Sequence, residues 1–422
     1  MHILLLGGGG REHAFAWKIA QSRFCKKLFI APGNGGTLQL GENVTLQVND
    51  FAEVERLVIR EKIDMVVVGP EDPLVNGIVD YFQASRGLQH VPVIGPPQAG
   101  AQLEGSKAFS KKFMQRHGIP TAPYLEVQQS TLEEGLAFID QLQLPVVLKA
   151  DGLAAGKGVL ICPSHKDARE QLSLMLNGLF GKASQKVIIE QFLSGKEFSV
   201  FILTDGRSYK LLPEAKDYKR VGEGDSGPNT GGMGAVSPVP FVSSAMLNKV
   251  EQKIILPTLN GLRKEGISYK GFLYFGLMQV ADEPYVIEYN CRMGDPETQV
   301  VLPRIESDLI ELFRLAVEGN LDQADLKIKP QTCATVVLAS KGYPGSYEKG
   351  KEIQGASSVK DCMVFHAGTQ WVNGRLVTSG GRVMSVSAYG NDFRTAIQNV
   401  YSCVGKLSFD GMYYRSDIGF DL

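Results

Sequence analysis

Four short apolar runs alternate with amphipathic stretches over the first hundred residues, and this leaves few architectures open. Ile3–Leu6, Leu28–Ile30, Met65–Val68 and Val91–Ile94 read as buried strands. Between them Glu12–Gln21, Phe51–Lys62 and Gly77–Arg86 carry apolar residues at helical spacing. Such alternation implies βαβ units and a parallel sheet. The pattern then predicts one long helix from about Gln98 to His117, ended by Gly118-Ile119-Pro120.

Further along the character changes. Val146–Lys149 and Val159–Cys162 read as a hairpin with a glycine-rich tip, followed by a helix (Lys166–Leu176) and a strand (Val187–Glu190). Strands dominate after that: Phe198–Leu203, Tyr209–Leu212, Phe272–Val280 and Tyr285–Tyr289, with a long polar loop, Gly222–Gly234, among them. The last ninety or so residues open with the strand Ala334–Ala339 and read as a separate small domain. At roughly 100–200 residues per domain, 422 residues make two to four.

A net charge of −1 calls for neither nucleic acid nor an anionic membrane. No apolar stretch reaches the ~20 residues that span a bilayer, and the N-terminal run lacks the features of a signal segment. A cytoplasmic enzyme is expected. The six cysteines are scattered with no CxxC pair, so buried reduced thiols are expected rather than a thiolate metal site or a disulfide framework. No HxxxH or HExxH spacing supports a zinc hydrolase.

Gly7-Gly8-Gly9-Gly10-Arg11 follows the first strand and opens a helix, where backbone N–H groups can meet an anion. A dinucleotide site would want an acid at the end of the second strand, but Ile30-Ala31-Pro32 stands there. A phosphate or phosphosugar ligand and a ligand-free tight turn both stay open. Gly152–Lys157 fails the Walker A spacing and joins two strands, so it reads as a lid over phosphates or an ordinary turn.

Glu288 and Asn290 lie two apart near the end of a strand and present two oxygen ligands to one face. Hard divalent cations accept such a pair, with phosphate oxygens completing the shell. Arg292, Asp295 and Glu297 follow at once. Asp217, Lys219 and Arg220 precede the long loop, and Asn229, Thr230 and Gly231 lead out of it. Lys219 and Arg220 suit an anionic substrate or a developing phosphate charge.

These segments resemble the phosphoribosylamine–glycine ligase family of the ATP-grasp superfamily. The marks are GGGGREHA at 7–14, APGNGGT at 31–37, VVGPEDPLVNGIVD at 67–80 and QLEGSKAFSKKFM at 102–114. They continue with LKADGLAAGKGV at 148–159, KRVGEGDSGPNTGGMGA at 219–235, GFLYFGLM at 271–278 and IEYNCRMGDPETQ at 287–299.

The resemblance implies an ATP-grasp fold of mixed α/β and α+β domains. An N-terminal Rossmann-like phosphosugar domain would span 1–103 and a linking helix 104–122. The lid would span 123–193, the metal-bearing central part 194–328 and a small C-terminal domain 329–422. No fused later-step domain is expected. ATP would meet Lys107, Lys149, Gly152, Gly156, Lys157, Glu190, Gln191, Leu193 and Glu197. Mg²⁺, or Mn²⁺, would sit on Glu288 and Asn290.

Arg292, Lys219 and Asp295 are the implied catalytic residues. Gly9, Gly10, Arg11, Glu71, Asp217, Asn229, Thr230 and Gly231 are the implied contacts for glycine and phosphoribosylamine. A monomer or weak dimer acting on small molecules is expected. Two departures stand out: Tyr218 where many members carry His, and Phe275-Gly276-Leu277 where other ATP-grasp enzymes have a third acidic ligand. Another carboxylate–amine ligase and a non-catalytic nucleotide sensor are the competing readings.

Overall fold

Strands that are apolar throughout bury both faces, and the N-terminal segment does so. The computed structural model describes residues 1–152 and 158–422. In it β1 (His2–Gly7), β2 (Lys27–Pro32), β3 (Glu42–Asn43), β4 (Met65–Val68) and β5 (Val93–Ile94) form a parallel sheet ordered β3-β2-β1-β4-β5. α1 (Gly10–Ile19), α2 (Phe51–Glu61), α3 (Glu71–Val75) and α4 (Ile78–Ala84) lie between the strands in sequence. Strand order reverses between β1 and β4. The glycine-rich turn after β1 and Glu71 after β4 therefore open on the crevice where open α/β sheets bind ligands.

The stretch from Gln98 to His117 is two helices rather than one. α5 (Gln98–Gly105) and α6 (Lys107–Arg116) break at Ser106, whose backbone is extended (φ −138°, ψ 114°). Ser106 Oγ accepts from Phe109 N at 3.1 Å and donates to Asp151 Oδ1 at 2.9 Å. This N-cap ends one helix and starts the next, which apolar spacing alone does not register.

β6 (Tyr124–Gln128), α7 (Leu132–Gln141), β7 (Val146–Ala150), β8 (Val159–Cys162), α8 (His165–Leu174) and β9 (Lys186–Gln191) follow. They build an antiparallel sheet ordered β6-β9-β7-β8 around its own core of Val127, Leu148, Leu172 and Ile189. β7 and β8 pair as the expected hairpin. Its tip, with the expected ATP contacts Gly156 and Lys157, lies outside the described residues.

Next come β10 (Lys196–Thr204), β11 (Tyr209–Leu211), β12 (Lys216–Asp217), β13 (Arg220–Gly222), β14 (Ser226–Asn229) and β15 (Gly234–Ser237). α9 (Ser244–Val250), α10 (Leu256–Lys264), β16 (Gly271–Val280) and β17 (Glu283–Asn290) complete the central part. The sheet β11-β10-β16-β17 is antiparallel, and its Phe198, Val200, Phe275 and Leu277 share a core with Leu4, Leu6, Val66 and Val68 of the first sheet. The segment Gly222–Gly234, expected as a loop, is partly regular: β13 and β14 form a bulged hairpin.

α11 (Thr298–Arg304), α12 (Leu309–Glu318), β18 (Thr332–Ser340), β19 (Met363–His366), β20 (Thr369–Val372), β21 (Arg375–Thr378), β22 (Arg382–Gly390), α13 (Phe393–Val404) and β23 (Met412–Tyr413) finish the chain. The last sheet runs β12-β15-β18-β22-β19, with β23 on β18, so β12 and β15 tie the central segment into it.

The expectation that all cysteines are reduced and buried needs correction. Cys162, Cys291 and Cys333 are free and buried, and Cys25 is free and half-buried. Cys362 and Cys403 form a disulfide across 41 residues. The β19–β22 pairing and the packing of α13 on β22 bring them together, and no local spacing encodes that. Among the described residues no helix is long and apolar enough to cross a membrane.

Candidate active site

β17 ends at the centre of the site. Its register against β16 shifts between Gly276 and Leu277, leaving Ile287 outside the ladder. The Ile287 carbonyl accepts from Lys149 Nζ at 3.3 Å. Beyond the bulge Glu288 pairs with Gly276, and Asn290 with Tyr274. The Glu288 side chain keeps 43% of its surface open to the cleft. Burial raises its carboxyl pKa, but Lys219, Lys149, Lys107 and Arg292 together hold it below the ordinary range. A Cβ at 276 would stand 2.9 Å from Glu288 Cγ, so the glycine there leaves room for that side chain.

Asn290 can turn its amide so that Nδ2 donates to Glu104 Oε1 at 2.8 Å and to Tyr289 O at 3.3 Å, and its oxygen then faces hydrogen-bond donors. Arg292 donates from Nη2 to Glu104 Oε1 at 2.6 Å and from Nε to Glu71 Oε2 at 3.2 Å. Burial works against ionisation of Glu71, yet Arg292 and Arg11 pull its pKa down to about 2.

The lysines converge from the helix break and the lid. Lys107, first in α6, donates to Gly152 O at 3.2 Å. Lys149 on β7 and Lys111 on α6 reach the same oxygen of Glu190, at 3.0 and 3.1 Å. Burial lowers Lys111 to about 8 despite that carboxylate. Glu190 Oε1 is buried with no partner among the described residues. Gln191 gives its backbone N–H to Pro123 O, and its side-chain amide accepts from Gln143 N and donates to Gln143 O. The nearby Leu193 N–H has no partner among the described residues.

Asp217 and Lys219, two apart, face this cleft, while Tyr218 between them is buried on the other side and donates to Asp421 Oδ1 at 2.9 Å. Lys219 pairs with Glu197 and lies 3.7 Å from Glu288 Oε1. Burial opposes its charge, but Asp217, Glu197 and Glu288 raise its pKa well above the usual lysine value. Burial lifts Asp217, and burial with the Asp217 charge lifts Glu297. Asn229 pairs with Arg220 across the hairpin, and Thr230 Oγ1 donates to Lys219 O at 2.9 Å.

The N-terminal loop faces a second region. A cavity of about 470 Å³ lies between Gly8, Gly9 and Asn34 on one side and Gly368, Gly380 and Arg382 on the other, with Asp295 on its wall. A Cβ at Gly8 would stand 2.5 Å from Gly33 O, so only glycine lets these two turns touch. Gly10 begins α1, beside Asp295 and Gln299. Arg11 points inward, donating to Glu12 at 2.6 Å and Met293 O at 3.2 Å, and its N–H reaches Asp295 Oδ2 at 3.4 Å. Arg382 Nη1 binds both Asp295 O and Gly231 O at 2.7 Å.

The expected site residues thus fall into two adjoining groups. Glu288, Asn290, Arg292, Lys107, Lys149, Lys219, Glu197 and Asp217 gather at the cleft, and Gly9, Gly10, Asp295 and Gly231 lie by the cavity. Sequence reasoning missed Glu104, Lys111 and Arg382. The first two sit inside QLEGSKAFSKKFM, and Arg382 ends the glycine-rich turn Ser379-Gly380-Gly381. Among the described residues no three His, Cys, Asp or Glu side chains cluster to hold a metal.

Family models described as the phosphoribosylglycinamide synthetase N, ATP-grasp (A) and C domains match residues 1–104, 105–298 and 333–421. A phosphoribosylamine–glycine ligase of Vibrio vulnificus is 47% identical over 426 residues, covering 100% of this chain and 98% of the relative. One from Caldanaerobacter subterraneus is 44% identical over 419 residues, covering 99% of each. The crystal structure of phosphoribosylamine–glycine ligase from Thermotoga maritima superposes with a TM-score of 0.85 at 35% identity, over 99% of this chain and 100% of that one. The chain belongs to the phosphoribosylglycinamide synthetase family.

Proposed function

We propose that this cleft joins glycine to 5-phospho-β-D-ribosylamine at the expense of ATP. The products are glycinamide ribonucleotide, ADP and phosphate, and glycyl phosphate is the intermediate. The observation that carries the reading is the convergence of Glu288, Asn290 and Arg292 at the end of β17 with Lys107, Lys149 and Lys219 from three other segments.

Lys107, Lys149 and Gly152 hold the ATP phosphates, and Gly156 and Lys157 are assigned to the same ligand. Glu190, Gln191 and Leu193 receive the base, and Glu197 the ribose. Glu288 and Asn290 fit a hard divalent cation, because one exposed carboxylate and one amide oxygen are ligands of the right chemistry. Magnesium, or manganese in its place, neutralises charge on the phosphoryl oxygens when bound.

Arg292, held by two carboxylates, is aimed to stabilise the acyl phosphate, and Lys219 the carboxylate that becomes it. Asp217 and Asp295 hold the amino groups. Gly9, Gly10, Arg11 and Glu71 hold the phosphosugar, joined by Arg382. Asn229, Thr230 and Gly231 shape the wall between the substrates. No covalent nucleophile from the protein is needed, since alignment of bound reactants contributes several kcal/mol by itself.

Phosphosugar binding is assigned to 1–103, the lid to 123–193, the cation site to 194–328 and closure of the cavity to 329–422, all within a cytoplasmic monomer or weak dimer. ADP release is measured with each substrate omitted in turn. Release that requires both glycine and phosphoribosylamine supports the reading, and release with another acid–amine pair alone would replace it.

A further inference from the structure

Glu104 stands three residues before Lys107 on the other side of the Ser106 break, and its side chain is 6% exposed. It touches three consecutive residues past the end of β17 or at it. Oε2 accepts from Cys291 N at 2.8 Å and from Cys291 Sγ at 3.1 Å. Oε1 accepts from Arg292 Nη2 at 2.6 Å and, in the donating amide orientation, from Asn290 Nδ2 at 2.8 Å. A buried carboxylate normally needs one counter-charge and a few donors. Glu104 draws all of them from residues 290–292.

An asparagine amide has two faces of opposite hydrogen-bonding sense, and at a cation site only the oxygen is useful. Nothing intrinsic to Asn290 selects which atom enters the cleft. Glu104 Oε1, the nearer of two acceptors behind it (2.8 Å, against 3.3 Å for the Tyr289 carbonyl), does so by drawing the nitrogen back. The same acceptor anchors one end of the Arg292 guanidinium, and Glu71 anchors the other.

We infer that Glu104 is a positioning residue: it orients the Asn290 oxygen toward the cation and sets the place of Arg292, without itself touching substrate. This inference rests on the cation-site reading above. It also links Lys107 to the cation site through one helix junction.

The test is Mn²⁺ binding to the full-length protein in the presence of a non-hydrolysable ATP analogue, followed by electron paramagnetic resonance. In Glu104→Gln one of the two acceptor oxygens becomes an N–H₂ group, so Asn290 Nδ2, Arg292 Nη2 and the Cys291 N–H can no longer all be accepted at once. A roughly tenfold or greater loss of Mn²⁺ affinity is expected, the usual scale for groups that orient metal ligands. The double variant E104Q/N290D exchanges donor and acceptor. It is expected to regain Mn²⁺ affinity while kcat stays low, because Arg292 has lost its anchor.

Asn290→Ala separates the two layers. Normal Mn²⁺ binding by N290A would sink the cation-site reading itself. Weak binding by N290A with unchanged binding by E104Q would overturn only the role of Glu104. Should E104Q fail to fold, the unmodified protein still answers, with ¹⁵N-asparagine labelling. Asn290 side-chain amide protons slow to exchange support the inference, and freely exchanging ones overturn it.

Discussion

Gly276 on β16 stands directly across from Glu288 on β17, and a Cβ at position 276 would lie 2.9 Å from Glu288 Cγ. The glycine makes room for the carboxylate. Gly276→Ala is expected to fold, because the clash meets a side chain open to the cleft. It should raise the Mg²⁺ concentration needed for half-maximal ADP release by about tenfold. A titration of Mg²⁺ at saturating ATP checks this, and an unchanged midpoint would show that Glu288 has other room.

Arg292 bridges Glu71 and Glu104 with separate nitrogens. Lysine keeps the charge but has no second planar arm. Arg292→Lys should therefore lower kcat by roughly 100-fold with a smaller effect on the KM for ATP. Arg292→Met leaves the buried Glu104 without its counter-charge and should cost about 3–5 kcal/mol of stability, read by urea unfolding.

His13 on α1 and His366 on β19 join the first and last parts of the chain: His366 N donates to His13 Nδ1 at 2.8 Å. Burial lowers His13 to about 3, with the His366 charge adding to it, and burial lowers His366 to about 4. The unfolded chain, with histidines near 6.5, binds more protons below that pH. Stability from these neutral rings is thus complete above about pH 6.5 and falls as pH drops toward 4 and 3. The slope is about 1.4 kcal/mol per pH unit for each ring. Unfolding midpoints between pH 7 and 5 check this. His13→Asn, whose oxygen can still accept from His366 N, should remove about one proton's worth of slope.

The disulfide Cys362–Cys403 closes a long loop in the last sheet and helix. Cys362→Ser should lower stability by about 2–4 kcal/mol. The cleft residues lie on other elements, so kcat should change little. Thermal unfolding of the wild-type protein with and without reductant, beside the variant, is the check. Equal midpoints in all three would remove the disulfide from the account.

Legibility differed by the range of the interaction concerned. The parallel sheet and the β7–β8 hairpin were readable because strand and helix periods are local. So was the Glu288–Asn290 pair, since alternation along one strand needs no partner. Ser106 was missed because apolar spacing runs on through it: its cap on Phe109 N is local, but Asp151, which holds the hydroxyl in place, lies far along the chain. Glu104 and Lys111 look like helix surface in sequence, and only the packing of α5 and α6 against β17 and β9 turns them into the site. Arg382 and the disulfide depend on how the last sheet folds back on the first, and no motif spacing records that.

Activation of the glycine carboxylate as glycyl phosphate is the step on which the proposed function rests. Glycine labelled with ¹⁸O in both carboxylate oxygens, incubated with ATP and phosphoribosylamine, tests it by mass analysis of the released phosphate. Attack of the amine on the acyl phosphate expels phosphate with one carboxylate oxygen attached. One ¹⁸O per inorganic phosphate is therefore expected, with one retained in the amide. Unlabelled phosphate, formed in step with product, would contradict the account.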